Sequence, residues 1–274
     1  MTQNLNDAPL GKSSPYIDTY TPELLFPIAR EGKRLEIGVE GKLPFHGVDI
    51  WNAYELSWLN KKGKPEVALG AFHVPCESPN LIESKSFKLY LNSFNQTRFD
   101  SVQQMREFLQ KDLSKTTGAA VTVELFLPNT FPCTSLGSFS GESIDDIDLE
   151  ITEYEVDSSL LQATEKITKE RLYSNLLKSN CLVTGQPDWA SVEVYYEGPQ
   201  IIREGLLAYL ISFRKHLEFH EQCIERIFMD IMSRCRPKAL SVYGRFTRRG
   251  GLDINPYRAF GIDDKPVNTR LARQ

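Results

Sequence analysis

A repeat constrains this 274-residue chain more than any other feature. Tyr90-Leu91-Asn92-Ser93-Phe94 returns as Tyr209-Leu210-Ile211-Ser212-Phe213, an offset of 119 residues (209 minus 90). The same offset carries Met105, Phe108, Leu109 and Leu113 onto Ile224, Ile227, Phe228 and Met232. It also carries Ala120 and Val123 onto Ala239 and Val242. One register that preserves a pentapeptide, a helix face and a strand argues for duplication. Each half is then expected to be one α+β unit: two antiparallel strands, helical material on one face, then two more strands.

The local patterns divide accordingly. Asp49 to Trp58 is aromatic and β-branched, so it reads as a strand. Asn60 to Pro65 is a turn signal, and Val67 to Val74 returns as the second strand. Residues 100–114 place Val102, Met105, Phe108, Leu109 and Leu113 on one helical face. Val121 to Leu127 alternates like a strand, and Pro128 ends it. In the second half the expected strands run from Cys181–Val183 past Trp189 to Tyr196 and from Leu240 to Phe246, with a helix over 218–234. The resulting division is an N-terminal arm (1–40, loosely structured over 1–25), a first unit (41–135), an acidic connector (136–178) and a second unit (179–274). The connector carries Glu142, Asp145, Asp146, Asp148, Glu150, Glu153 and Glu155 without the alternating ligands and glycine turn of a calcium loop.

Composition narrows the function. A net charge of -4 argues against a nucleic-acid binder. No apolar run approaches the ~20 residues of a membrane span, and the first 25 residues lack a secretory signal. The five cysteines (76, 133, 181, 223, 235) are irregularly spaced with no C-x-x-C pair, as expected of free thiols in the cytoplasm and no structural zinc. Leu10-Gly11-Lys12-Ser13 imitates a phosphate-binding loop but has Asn6 where the first glycine belongs. There is no G-x-G-x-x-G, so a nicotinamide cofactor would not sit on a Rossmann unit. There is no G-x-S-x-G elbow either.

Four groups of residues could carry chemistry. Cys181 precedes Asp188 by seven residues, and Gly185-Gln186-Pro187 between them can fold the carboxylate back toward the thiol. A thiolate needs a base or positive field nearby, which Asp188 could supply; the competing reading is a buried core thiol. Glu83-Ser84-Lys85 offers a carboxylate for the N–H edge of a heterocycle and an ammonium for a phosphate, against a surface ion pair. His220-Glu221 opens the second helix, where His220 could relay protons and Glu221 suits the helix dipole. Arg248-Arg249-Gly250-Gly251 suits a phosphate, such as the 2′-phosphate of NADP, against a hairpin with solvated arginines. The two halves hold different members of this set, which suggests a composite site.

Together, Glu83-Ser84-Lys85-Ser86-Phe87-Lys88-Leu89-Tyr90, Cys181 with Asp188, Phe219-His220-Glu221 and Arg248 to Gly251 resemble the NADPH-dependent nitrile reductases that make 7-aminomethyl-7-deazaguanine. The match is to their long form, with two tandem tunnelling-fold (T-fold) units, and runs from about residue 10 onward. The resemblance implies 7-cyano-7-deazaguanine as substrate, NADPH as reductant, Cys181 as nucleophile forming a thioimide, and Asp188 as proton donor, with His220 beside them. It implies that Glu83, Ser84, Lys85, His220 and Glu221 hold the substrate, and that Lys85, Ser86, Arg249 and Gly250 contact NADPH. It also implies a homodimer. On the same fold, a zinc-dependent ring hydrolase of the GTP cyclohydrolase kind is the alternative reaction; its metal would need Cys and His ligands at a spacing absent here. A non-catalytic purine-binding module is the third reading.

Overall fold

A computed structural model describes residues 15–132 and 136–274, so Leu10 to Ser13 and Cys133 lie outside the described residues. In chain order the elements are β1 (Pro27–Ala29), α1 (Glu31–Glu36), β2 (His46–Leu59), β3 (Pro65–Pro75), β4 (Asn80–Ile82), α2 (Ser84–Asn92), α3 (Val102–Thr117) and β5 (Thr122–Phe126). They continue as β6 (Glu142–Ser143), β7 (Ala163–Ser174), β8 (Lys178–Asn180), β9 (Pro187–Ile201), α4 (Arg203–Ser212), α5 (His220–Cys235), β10 (Ala239–Phe246) and β11 (Leu252–Phe260). Contacts group residues 1–32, 48–134 and 248–253 into one unit, and 33–47, 135–247 and 254–274 into another. The expected consecutive division therefore needs two exchanges. Residues 33–47 join the second unit because Arg34 bonds Glu225 and Phe45 packs edge-on against Phe228. Residues 248–253 join the first because Arg248 lies over the Tyr54 ring and Asp253 accepts from Asn52 and Tyr54.

In the first unit β2, β3 and β5 form an antiparallel sheet, and β1 pairs with β4. Asn60 makes the β2–β3 turn: its Oδ1 accepts from the Lys62 and Lys64 amides. Ser101 caps α3 by accepting from the Gln104 amide at 3.2 Å, and Gly118, at φ 77°, ends the helix in the left-handed region. Met105, Leu109 and Leu113 form its buried face. The arm is not loose where it is described. Tyr20 packs edge-on against Tyr90, Phe94 and Phe108, and its hydroxyl donates to Asp112 at 2.7 Å. The ring contacts and the hydrogen bond to Asp112 tie this part of the arm to the helices.

The second unit is an antiparallel sheet in the order β11–β10–β9–β7, with α5 packed on β9 and β10. Its strand β7 lies inside the stretch expected to be an acidic connector, as does the short β6, which pairs parallel with it. Charge concealed that strand: in Lys169-Glu170-Arg171 the polar side chains are cross-strand partners. Lys169 pairs with Glu197 at 2.8 Å and Arg171 with Glu193 at 2.6 Å, while the Tyr196 hydroxyl bonds Glu170.

The duplication is carried through in space. The helices α2 and α4 begin 119 residues apart (203 minus 84), and α5 begins within one residue of the position that the offset projects for α3. Ser93 donates to the Tyr90 carbonyl at 2.6 Å, and Ser212 repeats the bond on Tyr209 at 2.6 Å. Each tyrosine hydroxyl in turn donates to an aspartate on the following helix, Asp112 and Asp230. The copies differ after the helices. Among the described residues the first unit has β5 alone where two strands were expected, whereas the second has β10 and β11.

Candidate active site

In the second unit, β8 and β9 form a hairpin in which Ser179 lies opposite Asp188 and Asn180 opposite Pro187. Cys181 is the first residue beyond β8. Its amide donates to the Gln186 carbonyl at 2.9 Å, and its carbonyl accepts from the Gly185 amide at 2.9 Å. Leu182 and Val183, expected as strand, are turn residues, as is Thr184. The apolar pair misled because periodicity cannot separate two residues of strand from two of a tight turn. The loop does fold the carboxylate back to the thiol's end of the hairpin. Cys181 is 3% exposed and Asp188 6%, while residues 183–187 between them are exposed. The thiol is thus enclosed, one residue away from a solvent-facing loop.

A second backbone contact sets the register of this hairpin. The Asn180 amide donates to the His216 carbonyl at 2.8 Å, and the Glu218 amide donates to the Asn180 carbonyl at 3.1 Å. The Asn180 side chain adds bonds to the Arg214 and His216 carbonyls and accepts from Lys178 Nζ at 2.6 Å. Burial alone would raise the Glu218 carboxyl, but His216 at 2.7 Å and Arg226 at 3.1 and 3.2 Å hold it below the usual glutamate range. Two residues beyond Glu218, His220 opens α5. Its Nε2 lies 3.4 Å from Asp188 Oδ2, and its ring meets the Phe246 ring at 4.0 Å between centroids. Glu221 is buried in the same first turn. Cys181, Asp188, His220 and Glu221 therefore all belong to the second unit. Cys223, one turn along α5, is a core thiol pushed well up by burial, unsuited to attack.

The remaining predicted residues belong to the first unit. Glu83 is fully buried at the N-cap of α2, where its two oxygens accept from the Lys85 amide at 2.6 Å and the Ser86 amide at 2.8 Å. Burial raises its carboxyl, and those two N–H groups oppose the rise. The Ser84 hydroxyl also donates to Oε1, at 3.5 Å, so Oε2 is the oxygen that retains a further lone pair for a ligand N–H. The Ser86 hydroxyl donates to the Glu83 carbonyl and accepts from the Phe26 amide. Arg249 and Leu252 exchange backbone hydrogen bonds at 2.9 and 3.3 Å across Gly250 (φ 61°) and Gly251 (φ 79°). Only glycine suits both positions of this two-residue turn, which has the positive φ values of type I′. A Cβ on Gly250 would stand 2.7 Å from Lys88 Nζ, and one on Gly251 would stand 2.5 Å from Glu55 Cδ. A pocket of about 280 Å³ opens beside this turn, lined by Glu55, Ser57, Lys88, Asn92 and Asn95 among others.

Sequence reasoning missed Asn180, Glu218, Arg226 and Phe246. None lies in a chemical motif; only Asn180's place beside Cys181 could have drawn notice. Among the described residues no group of three or more His, Cys, Asp or Glu is arranged to hold a metal. No described helix is long and apolar enough to cross a membrane.

Comparison with known proteins bears directly on this arrangement. The family model "Nitrile reductase, 7-cyano-7-deazaguanine-reductase N-term" matches residues 16–125, and "QueF-like protein" matches residues 187–263. An NADPH-dependent 7-cyano-7-deazaguanine reductase of Burkholderia multivorans is 56% identical over 273 residues, covering 99% of this chain and 100% of that one. One from a Polaromonas species is 57% identical, covering 97% of each chain, and one from Bordetella avium is 55% identical, covering 98% of this chain and 99% of its own. Among solved structures, the apo archaeosine synthase QueF-Like matches 36% of this chain and 96% of its own at 16% identity and a TM-score of 0.31, a likeness too slight to build on. The chain is a member of an oxidoreductase family that works on a nitrile. It belongs to the NADPH-dependent 7-cyano-7-deazaguanine reductases.

Proposed function

We propose that the protein reduces the nitrile of 7-cyano-7-deazaguanine to the primary amine of 7-aminomethyl-7-deazaguanine, in queuosine biosynthesis, through a covalent thioimide on Cys181. The observation that carries this reading is the β8–β9 hairpin, which holds Cys181 and Asp188 at one end with His220 facing the carboxylate. A nitrile carbon accepts hydride poorly, whereas a protonated thioimide is polarised, so covalent attack divides one hard step into easier ones. The Cys181 sulfur forms a bond to the nitrile carbon, one π bond of the C≡N group breaks, and its electron pair moves to nitrogen. The Asp188 carboxylate takes the thiol proton as the sulfur attacks and delivers it to that nitrogen as the charge develops. His220, 3.4 Å from Asp188, orients the carboxyl and can restore its proton. Enclosure of Cys181 keeps water from the intermediate.

For the heterocycle, the Glu83 carboxylate of the first unit and the Glu221 carboxylate of the second are each suited to accept ring N–H groups. Ser84, Lys85 and His220 are the further candidates for contacting it. The turn at Gly250 and Gly251 fits NADPH. Its backbone is bare, Lys88 stands against Gly250 and Arg248 adds positive charge in the same unit, while the Glu55 carboxylate packs against Gly251. Lys85, Ser86, Arg249 and Gly250 are the residues that would contact it; when bound, it supplies hydride. The protein acts on the free base as a cytoplasmic homodimer, with no direct nucleic-acid contact.

The test is cofactor stoichiometry with 7-cyano-7-deazaguanine. Reduction of nitrile to amine requires about two NADPH oxidised per substrate consumed. One equivalent, or no oxidation at all, would reject the assignment.

A further inference from the structure

Gln274 has no place in any motif, yet the residue is 5% exposed and its side-chain amide is fully engaged. Its Nε2 donates to the Phe246 carbonyl at 3.1 Å and to Asn255 Oδ1 at 2.7 Å. Its Oε1 accepts from Arg245 Nε at 2.9 Å and from the Leu271 amide at 3.1 Å. Two acceptors on one side and two donors on the other fix the amide's orientation: a flip would set like against like at all four contacts. Phe246, where the first of these bonds ends, is the last residue of β10. It is 1% exposed and lies opposite Ala190 of β9, and its ring meets the His220 imidazole at 4.0 Å.

We propose that Gln274 is a positioning residue for the reaction: by fixing the Phe246 backbone at the end of β10, it sets the ring against which His220 is aimed at Asp188. The inference rests on the catalytic reading of Cys181, Asp188 and His220. All its residues lie in one unit. Phe246 follows Arg245, whose guanidinium also bonds the Tyr243 hydroxyl and Asn268, so Gln274 joins a brace already anchored on two sides. Glutamate at 274 matches the amide in shape but cannot donate to the Phe246 carbonyl or Asn255. It would keep the bond from Arg245 as an ion pair but turn an oxygen toward each of those two acceptors.

The test combines turnover with a signal that needs none. The chain holds four histidines, so the imidazole resonances form a short NMR spectrum in which His220→Asn identifies one signal. Gln274→Glu and the volume-matched Gln274→Met are expected to shift the His220 resonance and to slow adduct formation on Cys181 roughly tenfold or more. KM for NADPH should stay within about twofold. Phe246→Leu should reproduce the slowing, and adding Gln274→Met to it should cost little more, because both act through one ring. Should Gln274→Glu not fold, Gln274→Met and its double variant decide. An unmoved His220 signal, a wild-type adduct rate, or additive losses would overturn the proposal. A Cys181→Ala control that still forms adduct would instead defeat the catalytic reading, leaving the NMR shift to judge Gln274 by itself.

Discussion

Asp188 and Glu83 are both buried carboxylates, but their surroundings assign them different work. Asp188 lies 3.4 Å from the His220 imidazole, the placement on which its proposed proton transfer rests. Glu83 is committed to two amides of its own helix and is the more rigid group. Asp188→Asn is therefore expected to slow adduct formation by roughly two to four orders of magnitude while leaving the fold intact. Time-resolved intact mass checks this, and an unchanged rate would remove Asp188 from the proton transfer. Glu83→Ala loses an N-cap worth about 1 kcal/mol, so its melting temperature should drop by roughly 2–4 °C. Calorimetry showing no drop would mean that the cap contributes nothing. Cys181, Asp188, His220 and Glu83 were visible from sequence because their types carry chemistry. Phe246, Gln274 and Asn180 were not, since an aromatic core residue and two amides acquire meaning only through the strands that bring them to the site.

Strands and helices were legible where one face is apolar and illegible where both faces are charged. The face of α3 and the β2–β3 hairpin followed from periodicity and turn chemistry. The strand β7 escaped because its charged side chains hide the alternation, while what holds it is a long backbone ladder to β9 that no local pattern reveals. The brace between β8 and the segment before α5 is of the same kind, and it makes a prediction about pH. The Glu218 carboxyl sits below its ordinary 4.5 in the folded state because His216 and Arg226 favour its charge. Its contribution to stability is then complete above pH 4.5 and is lost as pH falls through the depressed value. The melting-temperature gap between wild type and Glu218→Gln should be constant near neutrality and close on acidification. A gap that persists unchanged well below pH 4 would contradict the brace.

The whole molecule is a duplication whose copies carry different candidate groups. The second unit holds the thiol, the acid and the imidazole; the first holds the capped carboxylate and the glycine turn with its cations. Each copy keeps the tyrosine–aspartate tie between its helices, which shows what the fold itself requires. The proposed homodimer predicts a solution mass about twice 31.2 kDa by light scattering, and a monomer at micromolar concentration would exclude it. Covalent attack by Cys181 is tested most directly by intact mass after mixing the protein with 7-cyano-7-deazaguanine in the absence of NADPH. Wild type should gain one substrate mass and Cys181→Ala none; an adduct of that mass on the alanine variant would contradict the account.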